Sequence, residues 1–149
     1  MGRKGGVKER EIGNEEIFRT DKLLIGLTAS REELKLRIDQ RVEARVEQGI
    51  VKEIQLLLNQ GYKWDLPSFS ALGYNIWEEY FTKKSQIPKN EQEKMVKEIT
   101  QKWKKSEYQY AKRQLTWFKK EPGIHWFDIT QPKWQTTALT SIKNWKANK

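Results

Sequence analysis

Apolar residues recur at every fourth position from residue 34 to residue 58, and this is the clearest pattern along the chain. The series consists of Leu34, Ile38, Val42, Val46, Ile50, Ile54 and Leu58. A spacing of four places these side chains on one side of an α-helix, so the pattern predicts one long amphipathic helix. Ser30 and Glu33 form a capping box at its start, and Gly49 is expected to soften or bend it.

The remaining hydrophobic patterns predict two more helices of different length, a final helix and two strands. Helices are expected over 69–81, 89–118 and 134–147, and strands over 23–27 and 124–129. The first strand is apolar at nearly every position, which predicts burial on both faces. The predicted fold is therefore mainly α with two short β-strands, in the order strand, long helix, short helix, long helix, strand, helix. Two strands cannot bury themselves, so they either pair with each other through a long crossover or belong to a larger sheet that the chain does not contain.

Two details of the predicted helices concern packing. The helix over 89–118 is expected to bury Met95, Val96, Ile99, Trp103, Tyr110, Leu115 and Phe118. Gly73 lies inside the shorter helix, where glycine costs about 1 kcal/mol relative to alanine. It therefore indicates a close approach by another helix or by the backbone of a ligand.

Composition narrows the class of protein. A chain of 149 residues is sufficient for one domain, and we expect residues 1–21 to be a flexible arm and residues 22–149 a single helical domain. The net charge of +9 favours RNA, DNA or an anionic membrane surface as a partner, although it also serves solubility. The absence of Cys and the single His exclude disulfides, thiolate metal sites and His-rich metal clusters. With no apolar run long enough to span a membrane and no signal peptide, a cytoplasmic protein is expected.

The stretch from Tyr110 to Phe118 combines a basic pair, an amide, a hydroxyl and two further aromatic rings at the end of the long polar helix. Such cations neutralise phosphates, and such rings stack on unpaired bases, so the stretch is typical of an RNA-binding surface. The alternative is a helix end whose aromatic rings lie in the core and whose cations lie in water.

Arg37, Arg41 and Arg45 lie four residues apart on one helix face and are candidates for gripping a phosphate or diphosphate. The alternative is a solvated face on which they pair with Asp39, Glu43 and Glu47. No pair of carboxylates has a spacing that indicates general acid–base catalysis. The sequence also has no P-loop glycine pattern and no dinucleotide fingerprint.

A series of short motifs resembles one enzyme family across residues 22–130. In chain order they are Leu27-Thr28, Arg31-Glu32-Glu33-Leu34, Arg37-Ile38-Asp39-Gln40-Arg41-Val42, Gly49-Ile50-Val51-Lys52-Glu53, Leu66-Pro67-Ser68, Gly73-Tyr74, the stretch from Tyr110 to Phe118, and Ile124-His125-Trp126-Phe127-Asp128. Together they are similar to the C-terminal part of the bacterial tRNA dimethylallyltransferases, also called tRNA isopentenyltransferases.

The resemblance implies the C-terminal portion of a P-loop-type α/β fold and a tRNA-modifying activity. Members of the family transfer a dimethylallyl group from dimethylallyl diphosphate to N6 of the adenosine adjacent to the anticodon, assisted by Mg²⁺. By position, Arg41 matches the arginine that stabilises the diphosphate. Two segments match those that contact the tRNA anticodon stem-loop: Ser70, Ala71, Leu72, Gly73, Tyr74 and Asn75, and Lys112, Arg113, Gln114, Leu115, Thr116, Trp117, Phe118 and Lys119.

The resemblance also implies that an N-terminal half is lacking, with the phosphate loop, the general-base Asp, the expected Mg²⁺ ligands and most of the sheet. The sequence departs from the family at three places: Ser70, where Arg or Gln is usual, Asn75, where Arg or Lys is usual, and Glu107-Tyr108, where Thr-Arg is usual. We therefore expect the chain to be inactive without a P-loop half. A separate gene could encode that half. The alternatives are a basic RNA-binding module without catalysis and a non-functional gene remnant. Marginal stability is expected for the isolated chain, because its first strand has few sheet partners.

Overall fold

Two short strands from opposite ends of the chain pair with each other. In a computed structural model, which describes residues 22–70 and 73–148, β1 (Leu24–Thr28) and β2 (Ile124–Asp128) run parallel. The register places Leu24 opposite Ile124 and Thr28 opposite Asp128. Parallel neighbours require a long crossover, and here the intervening helices supply it, as the first of the two expected arrangements required.

Burial of β1 differs from the prediction. Its residues alternate between half-buried and exposed, with Ile25 36% and Leu27 53% exposed. The prediction of a strand buried on both faces is wrong for this chain. The described residues supply one sheet partner for β1, whereas a run of this kind is normally covered by several strands and by helices on both faces.

The predicted single helix from residue 30 to residue 60 is two helices, α1 (Arg31–Glu47) and α2 (Ile50–Asn59). Ser30 Oγ accepts a hydrogen bond from the Glu33 amide at 3.1 Å and so caps α1 as expected. Gly49 separates the helices with a φ of 100°, a left-handed conformation that glycine adopts without a steric penalty. The glycine therefore breaks the helix instead of bending it.

The predicted helix over 69–81 is also wrong in its bounds. This part of the chain forms two short 3₁₀ helices, Pro67–Ser70 and Asn75–Trp77, followed by α3 (Glu78–Lys83). Gly73 lies between the two 3₁₀ helices with a φ of 102°, which an α-helix cannot contain. Its left-handed backbone is a physical reason for the interruption.

The long helix α4 (Lys89–Phe118) and the final helix α5 (Trp134–Ala147) have the predicted bounds. The predicted buried side of α4 is wrong at Tyr110 and Phe118, which are 46% and 43% exposed. Thirty residues extend α4 to about 45 Å, whereas the neighbouring α1 is about 25 Å long. Helix α1 therefore cannot cover the whole of α4.

The core lies where α1 and α2 meet α4 and the segment before α3. Its buried residues are Ile38, Val42, Ile50, Ile54, Phe69, Trp77, Tyr80, Ile99 and Trp103. The mainly helical fold with two short strands is thus confirmed. Within residues 22–70 and 73–148, no helix is both long and apolar enough to cross a membrane.

Candidate nucleic-acid and phosphate interface

Three of the four arginines of helix α1 lie along the side that faces the second half of α4. Arg37, Arg41 and Arg45 line a groove of about 460 Å³ between the two helices. The remaining lining residues are Leu34, Ile38, Glu107, Tyr110, Ala111 and Gln114. We call this site the arginine groove. It places the cation row beside the aromatic and amide side chains of the stretch that the sequence singled out on α4.

The three arginines differ in their partners. Arg37 Nε donates to Glu33 Oε1 at 2.5 Å, so Glu33 pairs with Arg37 instead of closing the predicted capping box. Arg41 Nη2 donates to Glu107 Oε2 at 2.9 Å. Arg45 makes no ion pair with any residue that the structure describes. The groove therefore contains two arginines held by carboxylates and one that is not.

The carboxylates expected to pair with the arginines have lysine partners. Asp39 accepts from Lys35 Nζ at 2.8 Å, and Glu43 forms an ion pair with Lys104 of α4. The hydrogen bond and the charge of Asp39 raise the pKa of Lys35. The predicted pairing of the arginine row with Asp39, Glu43 and Glu47 is thus wrong for the first two carboxylates.

Glu107 is the acidic residue in the arginine groove, and it is held from both sides. Its side chain is only 12% exposed, and its Oε1 accepts from Trp103 Nε1 at 3.1 Å while Oε2 accepts from Arg41. Trp103 is itself 1% exposed. Sequence reasoning missed this pair because Arg41 and Glu107 lie 66 residues apart. The sequence clue to the pair is that Glu107 stands where the resembled family usually has Thr.

A second groove adjoins the first and is largely apolar. It has a volume of about 430 Å³ and shares Leu34, Arg37, Ala111 and Gln114 with the arginine groove. The other lining residues are Leu24, Ile25, Gly26, Leu27, Thr28, Ala29, Leu115, Phe118, Ile124, Trp126 and Ile129. We call this site the apolar groove. The uniformly apolar run of β1 is the one feature of the sequence that points toward this groove.

The end of α4 presents cations and aromatic rings together to solvent. Lys112, Arg113, Gln114, Thr116, Trp117, Phe118 and Lys119 are all exposed, and Leu115 is half-buried in the apolar groove. Trp117 is 64% exposed, and its ring meets that of Phe118 edge to face with centroids 4.9 Å apart. The Arg113 guanidinium lies 5.9 Å from the centroid of the Tyr110 ring. The alternative that placed these aromatic rings in the core is therefore wrong.

The other predicted RNA-contacting segment, residues 70–75, is only partly free. Ser70 is exposed and its Oγ donates to the Pro67 carbonyl at 2.6 Å. Gly73 is buried, and Asn75 is exposed. Ala71 and Leu72 lie outside the described residues.

Tyr74 is half-buried, and its hydroxyl donates to Glu53 Oε1 at 2.6 Å. This hydrogen bond, followed by burial, raises the pKa of the Tyr74 phenol above its ordinary value. The tyrosine therefore ties the segment before α3 to α2, and its hydroxyl is engaged within the fold.

The described residues of the two predicted RNA-contacting segments lie apart along α4. Gly73 lies against Trp103, whereas Lys112 is nine residues further along α4, a rise of roughly 14 Å. The Arg41–Glu107 pair lies between these two points along the helix. The structure thus places the two segments at different levels of α4, on either side of the ion pair.

A metal site is not built from the described part of the chain. Among those residues, no group of three or more His, Cys, Asp or Glu side chains could hold a metal ion. The acidic side chains in or beside the arginine groove, Glu33 and Glu107, are occupied by arginines. The Mg²⁺ that the family resemblance implies therefore does not fit the residues described.

Comparison with known proteins identifies the family. A family model described as IPP transferase matches residues 4–121, so the match begins earlier than the motif resemblance at residue 22. A tRNA dimethylallyltransferase of Thermomicrobium roseum is 38% identical over 112 residues, which are 75% of this chain and 31% of that protein. One from Geobacillus thermodenitrificans is 30% identical over 141 residues, covering 95% of this chain and 42% of that protein.

Solved structures agree with the sequence relatives. The tRNA isopentenylpyrophosphate transferase of Bacillus halodurans is 30% identical with a TM-score of 0.68, over 86% of this chain and 39% of that chain. The corresponding enzyme of Staphylococcus epidermidis is 33% identical with a TM-score of 0.66, over 85% of this chain and 38% of that chain.

The chain spans 31% to 42% of the two sequence relatives and corresponds to their C-terminal part. The resemblance drawn from the motifs is thereby confirmed. With a family match over most of its length, the chain belongs to the IPP transferase family.

Proposed function

We propose that this chain is the tRNA-facing and diphosphate-facing part of a tRNA dimethylallyltransferase and that it acts together with a P-loop half. The complete enzyme would transfer a dimethylallyl group from dimethylallyl diphosphate to N6 of the adenosine adjacent to the anticodon. Membership of the IPP transferase family supports the reaction class. The observation that carries the proposal is the direct contact between the arginine groove and the apolar groove.

Dimethylallyl diphosphate has an anionic end and an apolar end, and the adjoining grooves offer a complement to each. The arginine groove supplies guanidinium groups for the diphosphate, and the apolar groove supplies aliphatic and aromatic surface for the five-carbon group. Arg37 and Gln114 line both grooves and so lie at the junction. A ligand of this polarity would have its bond between carbon and oxygen at that junction.

The proposed step is a substitution at the first carbon of the dimethylallyl group. The N6 nitrogen supplies an electron pair to that carbon, the carbon–oxygen bond breaks, and diphosphate leaves with the bonding electrons. N6 then gives up one proton to a base that the P-loop half would contribute. Arg41 is proposed to stabilise the negative charge that develops on the departing diphosphate, which is the electrostatic role of a preorganised cation.

The exposed end of α4 is the proposed surface for the anticodon stem-loop. Lys112, Arg113 and Lys119 are positioned to neutralise phosphates, and Trp117 presents a ring on which an unpaired base can stack. Ser70 and Asn75 are the exposed members of the second segment and are proposed to contact the RNA as hydrogen-bonding groups.

The P-loop half is proposed to complete the sheet and to bring the Mg²⁺ ligands. Leu27 is 53% exposed, and the β1–β2 pair is a parallel sheet of a size that is not stable by itself. A partner that adds strands would cover this apolar surface. The chain alone is accordingly proposed to be inactive.

Fluorescence anisotropy of labelled stem-loops tests the proposal. One stem-loop carries the target adenosine next to the anticodon, and the other differs in that base only, and both are titrated with the chain across a salt series. Tighter binding of the adenosine stem-loop at every salt concentration is the expected result. Equal affinities that fall steeply with salt would reduce the interaction to backbone electrostatics and contradict the proposal.

That contradicting result would favour the second candidate, a basic RNA-binding module without catalysis. The exposed cations and rings at the end of α4 support this candidate independently of any diphosphate. A chain without a cooperative unfolding transition would instead support a gene remnant.

A further inference from the structure

We propose that Glu107 is a built-in counter-ion that lowers the affinity of the arginine groove for phosphate groups by holding Arg41. The inference rests on the proposed function only for the identity of the natural phosphate ligand. It makes Glu107 a residue that determines how strongly the groove binds an anion.

The first observation is that the anchor of Glu107 is rigid. Its Oε1 accepts from the indole Nε1 of Trp103, which is fully packed in the core at 1% exposure. With one oxygen tied to the core, the other is presented to Arg41 Nη2 at 2.9 Å. Because the Glu107 side chain is already fixed by Trp103, it loses little side-chain entropy when it pairs with Arg41.

The second observation is that Glu107 accepts from Arg41 Nη2, an N–H donor that an incoming phosphate would also use. A guanidinium binds carboxylates and phosphates with the same N–H groups. Arg41 is 57% exposed, so its remaining donors are accessible to a ligand. A phosphate that reaches Arg41 must nevertheless share it with a carboxylate or displace that carboxylate, and the two anions repel each other.

The neighbouring ion pairs show that this arrangement is particular to Glu107. Arg37 pairs with Glu33 one helical turn away, and both side chains are substantially exposed at 54% and 30%. Lys104 pairs with Glu43 across the same α1–α4 interface, but there the cation is shielded at 12% exposure and the carboxylate is exposed at 55%. Glu43 is absent from the groove lining. It therefore provides a matched control with the same charge and the same pair of helices.

Isothermal titration of inorganic pyrophosphate into the full chain tests the inference. Glu107→Gln should bind pyrophosphate about five- to tenfold more tightly than the wild type, because neutralising one partner of a partly buried pair releases Arg41. Glutamine keeps an oxygen that can accept from Trp103. Glu107→Thr, a second neutral replacement, should give a gain in the same direction, so the result does not depend on one variant. The control Glu43→Gln should remain within about twofold of the wild type.

A double variant establishes whether the effect passes through Arg41. Adding Arg41→Gln to Glu107→Gln should abolish the gain, since the released guanidinium is then absent. Four results would overturn the inference: an equal gain in Glu43→Gln, a gain that persists without Arg41, no gain in either Glu107 variant, or no measurable binding by any variant at millimolar pyrophosphate.

The pyrophosphate titration and the stem-loop titration fail independently. Equal affinities for the two stem-loops would contradict the proposed function and leave the role of Glu107 intact. Equal pyrophosphate affinities of the wild type and Glu107→Gln would contradict the role of Glu107 and leave adenosine recognition unaffected.

Discussion

The indole of Trp103 lies so close to the Gly73 backbone that a β-carbon at residue 73 would be 2.5 Å from ring atom Cζ2. Trp103 also donates from its indole nitrogen to Glu107. One buried side chain of α4 therefore contacts the segment before α3 and supports the carboxylate that holds Arg41. The close approach that Gly73 indicated in the sequence comes from a helix, which is the first of the two alternatives.

Gly73→Ala should destabilise the fold by about 3 kcal/mol, because a methyl group would overlap the indole and the φ of 102° is strained for alanine. Urea denaturation measures the change in the free energy of unfolding. Gly61→Ala is the matched control, since Gly61 has a φ of 89° with no atom within 4 Å of its added β-carbon. It should cost about 1 kcal/mol. Equal losses in the two variants would contradict the close packing of Trp103.

Tyr74→Phe should cost about 1 kcal/mol near neutral pH by removing the hydrogen bond to Glu53. That bond raises the pKa of the folded-state phenol above the unfolded value of about 10. The stabilisation is fully present below the unfolded pKa and is lost as the pH rises through the folded pKa. The stability gap between wild type and Tyr74→Phe should therefore shrink above about pH 10.

Denaturation of both proteins in parallel at near-neutral and alkaline pH provides the measurement. Comparing the two removes the contribution of lysines, which titrate in the same range in both proteins. A gap that stays constant or widens with pH would exclude the phenol as the titrating group.

Lys112→Gln should weaken binding to any stem-loop. It should also make the negative slope of log affinity against log salt shallower by about 0.7 to 0.9, as expected for one lost phosphate contact. Lys97→Gln is the control. Lys97 is an exposed lysine of the same helix, fifteen residues before Lys112, and it lines neither the arginine groove nor the apolar groove. Its slope should equal that of the wild type. Identical slopes for the two variants would mean that the RNA does not contact the end of α4.

The isolated chain should unfold with a midpoint below the range of about 45–65 °C that is usual for mesophilic domains. The reason is the apolar surface left uncovered at β1 and in the apolar groove. Differential scanning calorimetry of a monomeric sample gives the midpoint. A cooperative transition at high temperature would contradict the expectation that this surface needs a partner.

Regular periodicity made the helices predictable, and local backbone geometry decided where the prediction failed. The bounds of α4 and α5 follow from long amphipathic patterns with clear ends. The spacing of four continues through Gly49 without interruption, so it could not reveal that this glycine adopts a φ of 100°. The burial of Tyr110 and Phe118 was predicted from their position on α4, but it depends on how far α1 extends beside them.

The candidate site was only partly accessible to sequence reasoning. The arginine row and the stretch from Tyr110 to Phe118 could be identified as candidates, since each lies within one helix. The Arg41–Glu107 pair joins residues 66 positions apart, and the apolar groove joins both strands to two helices. Contacts of that kind depend on tertiary packing, which a single sequence does not display.

The indole signals of the seven tryptophans test most directly whether the end of α4 is the RNA-binding surface. In a ¹H–¹⁵N spectrum of the labelled chain, each indole gives one signal, and the adenosine stem-loop is added stepwise. We predict a large shift for the exposed Trp117 and little change for the buried Trp77 and Trp103. An unchanged Trp117 signal, together with shifts confined to Trp134 and Trp145 of α5, would contradict the account.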